Sequence, residues 1–356
     1  MRARWITRWD GPLETGELPE PRPEPGEVVV EVEACGVGLT VLNCIRGDLG
    51  SDPGDLPRVP GHELVGRVVD TGAGVDPAMV GRRVMAYFYL FCGACPSCFA
   101  GLEPLCERLG GYLGVHRDGG YAERVVLPAR NAVELPAALD PVSATAIPDA
   151  IATPVHVCRR SRIGPGERVA VVAAGGGVGA HMVQVARLHG AEVSGLEASD
   201  AKLTFLADEL GVEAVDSRDF SVAQLPGRWG ARTDVVIDLL GSEASLEWSG
   251  SVLAPGGRLV VLTTFPGVGW RLTPRALVLS EATVLGSRYA SRHELVLAAR
   301  LVSDERIRPV IGRVLPADRV EELHDALRRG ELLGRGALTW GASGETFHPK
   351  GGVAPA

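Results

Sequence analysis

Residues Arg168 to Glu197 read RVAVVAAGGGVGAHMVQVARLHGAEVSGLE, and this stretch decides the fold. Val169 to Ala173 is a short Val/Ala run, the composition of a strand buried on both faces. A turn with Gly175, Gly176, Gly177 and Gly179 follows, then a helix-period segment from Ala180 to Leu188. Gly190 closes that helix, and a second strand, Glu192 to Leu196, ends on Glu197. Strand, glycine turn, helix and strand in about thirty residues is the spacing of a dinucleotide-binding βαβ unit. Gly176 lets backbone approach a pyrophosphate, and Gly179 lets the helix pack close to the strand. The helix N-terminus offers unpaired N–H groups and a positive dipole end to the anion. Glu197 is placed to accept hydrogen bonds from the adenosine ribose. The first glycine of the usual fingerprint is Ala174 here, so the turn by itself also fits a structural αβ connection. The cations favour the dinucleotide site: before the C-terminal tail the chain's one lysine is Lys202, five residues after Glu197 and within reach of the same ribose.

Working outward, 356 residues suffice for two domains with proper cores. A composition of 46% hydrophobic residues, with 46 glycines and 25 prolines, suits a turn-rich α/β enzyme and not a fibrous or disordered chain. The net charge of −8 argues against a nucleic-acid partner, which needs a basic face. No run approaches eighteen apolar residues, and the start MRARWITRWDG lacks the apolar segment of a signal peptide. A cytoplasmic protein with no membrane association is the expectation. The tail 341–356, GASGETFHPKGGVAPA, is polar and aperiodic, and is expected to be mobile.

Residues 1 to about 148 read as short strands between Pro and Gly turns, among them Glu27–Val32, Glu63–Val69 and Arg83–Ala86. That pattern predicts a β-rich, partly open barrel. From Ala144 to Val157 the period lengthens towards a helix. From Arg168 the βαβ alternation runs to about Gly286, with strands at Asp234–Leu239 and Arg258–Leu262. Two amphipathic helices, Arg292–Arg306 and Ala317–Arg329, precede a closing strand at Gly336–Trp340.

Of seven cysteines, four lie together as Cys92, Cys95, Cys98 and Cys106 in CGACPSCFAGLEPLC. Four thiolates so close in sequence match a tetrahedral zinc lobe, closed to water and therefore structural. Two disulfides would demand an oxidising compartment that nothing else suggests. Zinc would order a loop with too few apolar residues to order itself. Cys35, Cys44 and Cys158 are scattered and read as buried small hydrophobes.

With these motifs on the page, the chain resembles the zinc-containing medium-chain alcohol dehydrogenases over nearly all its length. The residues that carry the likeness are ELPEPRPEPGEVVVEV (Glu17–Val32), PGHELVGRVV (Pro60–Val69), the cysteine lobe, DGGYAERVVLPARN (Asp118–Asn131), AAGGGVG and GRGAL (Gly334–Leu338). The resemblance implies an α/β protein: a GroES-like β-barrel catalytic domain plus a Rossmann cofactor domain with a doubly wound parallel sheet. The implied division is 1–148 for the catalytic domain, with the zinc lobe at 92–106, then 149–288 for the Rossmann domain, 289–340 returning to the catalytic domain, and the tail 341–356. It also implies a homodimer or homotetramer, a small-molecule substrate and an active site between the domains.

The resemblance further implies a second, catalytic zinc, and here the chain departs from the family. Members hold that ion with a cysteine, a histidine and a further cysteine or glutamate. This chain reads Gly36-Val37-Gly38-Leu39-Thr40-Val41, so Gly38 stands where the first thiolate belongs. His62 survives, followed by Glu63, and the last cysteine falls at Asp149 in IPDAIATPV. Without thiolate, the affinity of His62, Glu63 and Asp149 for a divalent ion should fall. His62 reads equally as a hydrogen-bonded structural histidine or as an acid/base or orienting group. Thr40 keeps the position whose hydroxyl contacts the substrate oxygen, whereas Asn43 replaces the histidine that passes the proton outward and cannot titrate. Leu39 and Phe88 fall at the pocket wall, with Tyr87 and Tyr89 read as wall or core. Thr153, Val178 and Arg335 join Gly176, Gly177, Gly179, Glu197 and Lys202 as cofactor contacts, Arg335 as a pyrophosphate clamp. Glu197 followed by Ala198 favours NAD(H) over NADP(H), because a 2′-phosphate would meet a carboxylate and no cation.

One structural zinc per subunit is therefore expected, with no catalytic zinc. Lacking a Lewis acid, oxidation of a simple alcohol should be slow. Hydride addition to a conjugated C=C–C=O, whose charge spreads onto an enolate held by Thr40 and His62, is less demanding, and an iminium needs no Lewis acid. The expectation is an NAD(P)H-dependent reductase of an activated C=C, C=N or carbonyl group. The alternatives are a metal-dependent alcohol/ketone dehydrogenase using His62, Glu63 and Asp149, and a cofactor-binding pseudoenzyme.

Overall fold

The longest strand of the chain, Glu27–Val37, owes its length to EVVVEVEACGV, a sequence apolar on almost every residue. In a computed structural model that describes residues 1–50, 52–263 and 267–340, this strand is buried along nearly all of both faces. It pairs antiparallel with Glu63–Thr71, with Arg335–Thr339 and with Arg124–Pro128. The sheet it centres has seven strands on its main path or beside it and is antiparallel except where Ile311–Pro316 runs parallel to Arg335–Thr339. A barrel-like β unit is what the short strands and Pro/Gly turns predict.

Register decides what meets at the end of this sheet. Gly36 lies opposite Glu63 on one side and opposite Ala337 on the other, while Val37 lies opposite Gly336. The first residues of two flanking strands, Glu63 and Arg335, are thereby carried to the stretch Gly36–Gly38. Gly38 then caps the helix Leu39–Arg46 without a side-chain hydrogen bond to the helix N-terminus.

A second compact unit comprises Ala150–Ala290 and Arg306–Arg308. The first comprises Met1–Asp149, Ser291–Glu305 and the chain from Pro309 on. The second unit is built on six parallel strands in the spatial order Glu213–Asp216, Glu192–Glu197, Arg168–Val172, Thr233–Asp238, Leu253–Val261 and Thr283–Gly286. Numbered along the chain this is 3-2-1-4-5-6, the doubly wound order, whose switch point lies beside the first strand. Trp229, Trp248, Leu259 and Val236 are among the side chains that fill its core. The expected helix at Ala144–Val157 resolves into three pieces: Pro141–Ala144, a wider π-helical turn at Ile147–Ile151 and the helix Ala152–Arg160. The tail 341–356 lies outside the described residues. Among those described, no helix is long and apolar enough to cross a membrane.

The glycine turn behaves as its spacing demands. The helix runs Gly177–Leu188, and a Cβ on Gly179 would land on the carbonyl oxygen of Ala173. Backbone cannot yield there without separating helix from strand. Gly179→Ala is expected to lower stability by about 2 kcal/mol, as overpacked sites do, measured by denaturant unfolding of the purified protein.

Candidate active site

Three carboxylate and imidazole ligand atoms converge in the first unit: His62, Glu63 and Asp149 lie within 4.8 Å of one another. Glu63 and His62 are buried at the start of their strand. Asp149 stands on the π-helical turn, a widened coil often found at functional sites. His62 packs edge-on against Phe88 with ring centroids 4.6 Å apart, so the expected pocket aromatic is the group that orients the imidazole. Tyr87 is wholly buried, in accord with a core role.

The cluster holds a fourth member. The guanidinium of Arg335 donates from Nε and Nη2 to Glu63 Oε1 at 3.1 and 2.8 Å, and from Nη2 to Asp149 Oδ2 at 2.7 Å. Asp149 Oδ2 also lies 3.7 Å from His62 Nε2. Burial acts to discharge Arg335, but Glu63 and Asp149 outweigh it and hold its pKa above the ordinary value. Burial likewise pushes the Glu63 carboxyl above the usual carboxylate range, with Arg335 pulling the other way. The resemblance assigns Arg335 to a pyrophosphate; in this structure its Nε and Nη2 donate to two carboxylates.

Room for this arrangement comes from the two glycines of Gly36-Val37-Gly38. A Cβ on Gly36 would stand 2.7 Å from Glu63 Oε2, and one on Gly38 would land on Arg335 Nη1. A cysteine at position 38, where the family has one, and the guanidinium as placed exclude each other. Neither remaining thiol of this region enters the cluster. Cys35 is buried and aims at the carbonyl of Gly36, and burial drives its pKa well up. Cys44 faces the carbonyl of Gly114 and is pushed up to about 12 by burial. Arg335 takes Glu63 Oε1 and Asp149 Oδ2, while Glu63 Oε2 and His62 Nε2 are buried without a hydrogen-bond partner among the described residues.

Thr40, half-buried, is the second residue of the helix that Gly38 caps, and Leu39 before it is exposed. Asn43 lies one turn on, with its side-chain carbonyl accepting from Arg46. The signal that sequence reasoning passed over is the pair of glycines two apart, of which Gly36 lies opposite Glu63 and Gly38 makes room for Arg335.

In the second unit, Gly176 precedes the helix Gly177–Leu188 with no side-chain cap, which leaves Gly177, Val178 and the next N–H groups open to an anion. Glu197 closes its strand almost buried. Oε1 accepts from Gly175 N–H at 2.8 Å and Oε2 from Ala198 N–H at 3.2 Å. A carboxylate has about four acceptor positions, so capacity remains for a ribose. Lys202 Nζ lies 3.9 Å from Oε1, as its spacing suggests. Thr153 is buried in Ala152–Arg160. An uncapped helix end over a glycine turn, with an acid at the next strand's end, fits a dinucleotide.

The cysteine lobe is equally specific. Sulfur separations are 3.9 Å for Cys92–Cys98, 3.4 Å for Cys95–Cys98 and 3.9 Å for Cys95–Cys106. A tetrahedron with Zn–S near 2.3 Å spaces its sulfurs by roughly 3.8 Å. Backbone N–H groups of Ala94 and Cys92 donate to the sulfurs of Cys92 and Cys106. These residues would hold zinc as four thiolates, and none is disulfide-linked.

Comparison with known proteins agrees with the fold. Residues 24–137 match the alcohol dehydrogenase GroES-like domain family, and residues 177–304 match the zinc-binding dehydrogenase family. An alcohol dehydrogenase of Geobacillus stearothermophilus is 32% identical over 339 residues, covering 94% of this chain and 98% of that protein. The chain belongs to the zinc-containing medium-chain alcohol dehydrogenase superfamily. An acryloyl-coenzyme A reductase of Metallosphaera sedula is 28% identical, over 92% of this chain and 96% of that protein. The solved structure of a thermostable alcohol dehydrogenase from Pyrobaculum aerophilum superposes with a TM-score of 0.86 at 33% identity, covering 96% of this chain and 99% of that one. This chain is an NAD(P)-dependent oxidoreductase of that superfamily.

The zinc lobe generates its own test. Cys95→Ser is expected to remove one zinc per subunit, read by elemental analysis, and to open 92–106 to limited proteolysis, because thiolate ligands are what order that segment.

Proposed function

We propose that this chain is an NAD(H)-dependent reductase of a small molecule with an activated double bond or carbonyl, working without a catalytic zinc. The observation that carries the proposal is the guanidinium of Arg335 bonded to both Glu63 and Asp149 in space that Gly38 leaves open. A zinc ion earns its place in alcohol oxidation by lowering the pKa of a bound hydroxyl. A guanidinium donates hydrogen bonds and charge but takes no alkoxide as a ligand, so it serves an acceptor that is already electron-poor. The name of the Metallosphaera relative, a reductase of a conjugated thioester, supports the same class.

When bound, the nicotinamide would supply a hydride to the β-carbon, with the charge passing to the carbonyl oxygen and a proton from solvent completing the reduction at the α-carbon. The chain's own residues hold the oxygen and exclude water. Thr40 offers a hydroxyl at the start of the helix Leu39–Arg46, and Phe88 fixes the His62 ring. A second reading, a metal-dependent dehydrogenase on His62, Glu63 and Asp149, is favoured by two buried atoms of that trio, His62 Nε2 and Glu63 Oε2, which make no hydrogen bond among the described residues.

Metal analysis separates the two. The expected result is one zinc per subunit, with NADH-dependent reduction of 2-cyclohexen-1-one undiminished after prolonged chelation. Two zinc ions per subunit, with activity lost as the more labile one leaves, would sink the proposal.

Cofactor choice rests on Glu197, whose buried carboxylate would meet a 2′-phosphate. Glu197→Ala should weaken NADH binding about tenfold, the loss of about 1.4 kcal/mol in charged hydrogen bonds, and narrow the preference over NADPH, both followed by nicotinamide fluorescence.

A further inference from the structure

The first unit holds a cavity of about 470 Å³ that shares no residue with the cluster of His62, Glu63, Asp149 and Arg335. Four arginines line it: Arg67, Arg82, Arg83 and Arg300. Glu134 is the one acidic residue on its wall among the described residues. Arg67 and Arg83 are direct cross-strand neighbours, a like-charge pair that costs stability unless negative charge offsets it. A single carboxylate, Glu33, serves both, 3.2 Å from Arg67 Nε and 2.7 Å from Arg83 Nε. Glu134 takes Nη1 of Arg82 at 3.0 Å. Arg67 and Arg82 each spend Nε and Nη1 on these acids and on backbone carbonyls, and keep Nη2 uncommitted among the described residues. The side chain of Arg300 makes no hydrogen bond or ion pair among them. Four guanidinium groups thus share two carboxylates, in a chain whose net charge is −8. Cationic charge gathered in a concave site draws anions to it.

We propose that this cavity is a second ligand site, and that it takes the phosphate monoester of a small organic molecule. The surplus of two positive charges matches a phosphoryl group, which carries about −1.5 to −2 at pH 7. Guanidinium forks fit its oxygens in pairs, and Arg67, Arg82 and Arg300 hold the donors still to be used. A carboxylate ligand would bring a single charge and leave the excess uncompensated. The rest of the wall decides for an organic ester over the inorganic ion. Leu135 and Pro136 are apolar, as are Val296 and Ala299 of the helix Arg292–Ser303, which also carries Arg300. A bare phosphate leaves that surface wet, whereas an organic body covers it. The volume lies within the range of small-molecule pockets, roughly 300–1,000 Å³. Glu33 and Glu134 hold three of the guanidinium groups in place beforehand, so little side-chain freedom is lost when the ligand enters.

The test titrates phenyl phosphate into the full-length, zinc-loaded protein by calorimetry at low salt. NADH is kept saturating, so that the glycine turn of the second unit is not open to the probe. One phenyl phosphate should bind per chain, about tenfold more tightly than inorganic phosphate because the ring is buried. Arg300→Gln alters an exposed side chain that no other group holds, and should weaken phenyl phosphate about tenfold. Val296→Asp sets a carboxylate into the cavity and should abolish binding. NADH dissociation constants of both variants should stay within about twofold of wild type, which separates the loss from any damage to the dinucleotide site. Melting curves confirm that each variant is folded, and Arg300→Gln carries the test by itself should Val296→Asp unfold. Absence of saturable binding to wild type, or undiminished binding to folded Arg300→Gln, overturns the site. Inorganic phosphate bound as tightly as phenyl phosphate overturns the organic ester as its ligand. The readout is binding alone, so the result stands apart from the reductase reading.

Discussion

The first unit depends on one buried interaction: a guanidinium, 6% exposed, held between two carboxylates. Charges taken from water cost several kcal/mol each and persist only when paired and hydrogen-bonded. Glu63 is wholly buried and Asp149 mostly so, and a counter-cation favours their charged forms. A divalent metal can fill that need, and so can an arginine. In this structure Arg335 pairs with both carboxylates, and the consequence is architectural. Arg335 and Glu63 are 272 residues apart, so the ion pair ties the closing strand of the unit to one near its start. Breaking such a pair by removing one partner typically costs 3–5 kcal/mol, because it strands a buried charge.

The glycines make the exchange feasible. In the strand Glu27–Val37 alternate residues face the same side, so Gly36 is aligned with Gly38, just beyond the strand's end, and both present no side chain where Glu63 and Arg335 need space. Antiparallel register brings Gly36 opposite Glu63, and the neighbouring strand brings Arg335 beside Val37 and Gly38. Losing a thiolate at position 38 and gaining room for a guanidinium are thus one event in space.

Local order was legible from sequence, and long-range pairing was not. The segment 168–197 announced strand, turn, helix and strand because each element's period is contained within a dozen residues. The cysteine lobe was legible for the same reason, its four sulfurs falling within fifteen positions. Gly38 as an absent ligand and Asp149 as its counterpart were legible through resemblance to the family. The partner of Glu63 was not: nothing near GRGAL says that its arginine reaches a glutamate 272 residues earlier. That information lives in the register of three strands, which periodicity alone does not supply. The π-helical turn under Asp149 was hidden too, since IPDAI has a helix-compatible composition whichever way it coils.

The two units divide the chemistry unequally. The dinucleotide machinery keeps the family's pattern, with glycine turn, uncapped helix and acid-ended strand in place. What distinguishes this chain is concentrated in a few residues of the other unit. A zinc ion works in both directions because it binds alkoxide as readily as it polarises a carbonyl. A guanidinium, always charged and able only to donate, stabilises an oxyanion through hydrogen bonds but does not generate one from a neutral alcohol. Under the proposed reading, exchanging metal for arginine biases the reaction towards reduction. On that reading the bias follows from one side chain lying where the Cβ of a residue at position 38 would stand.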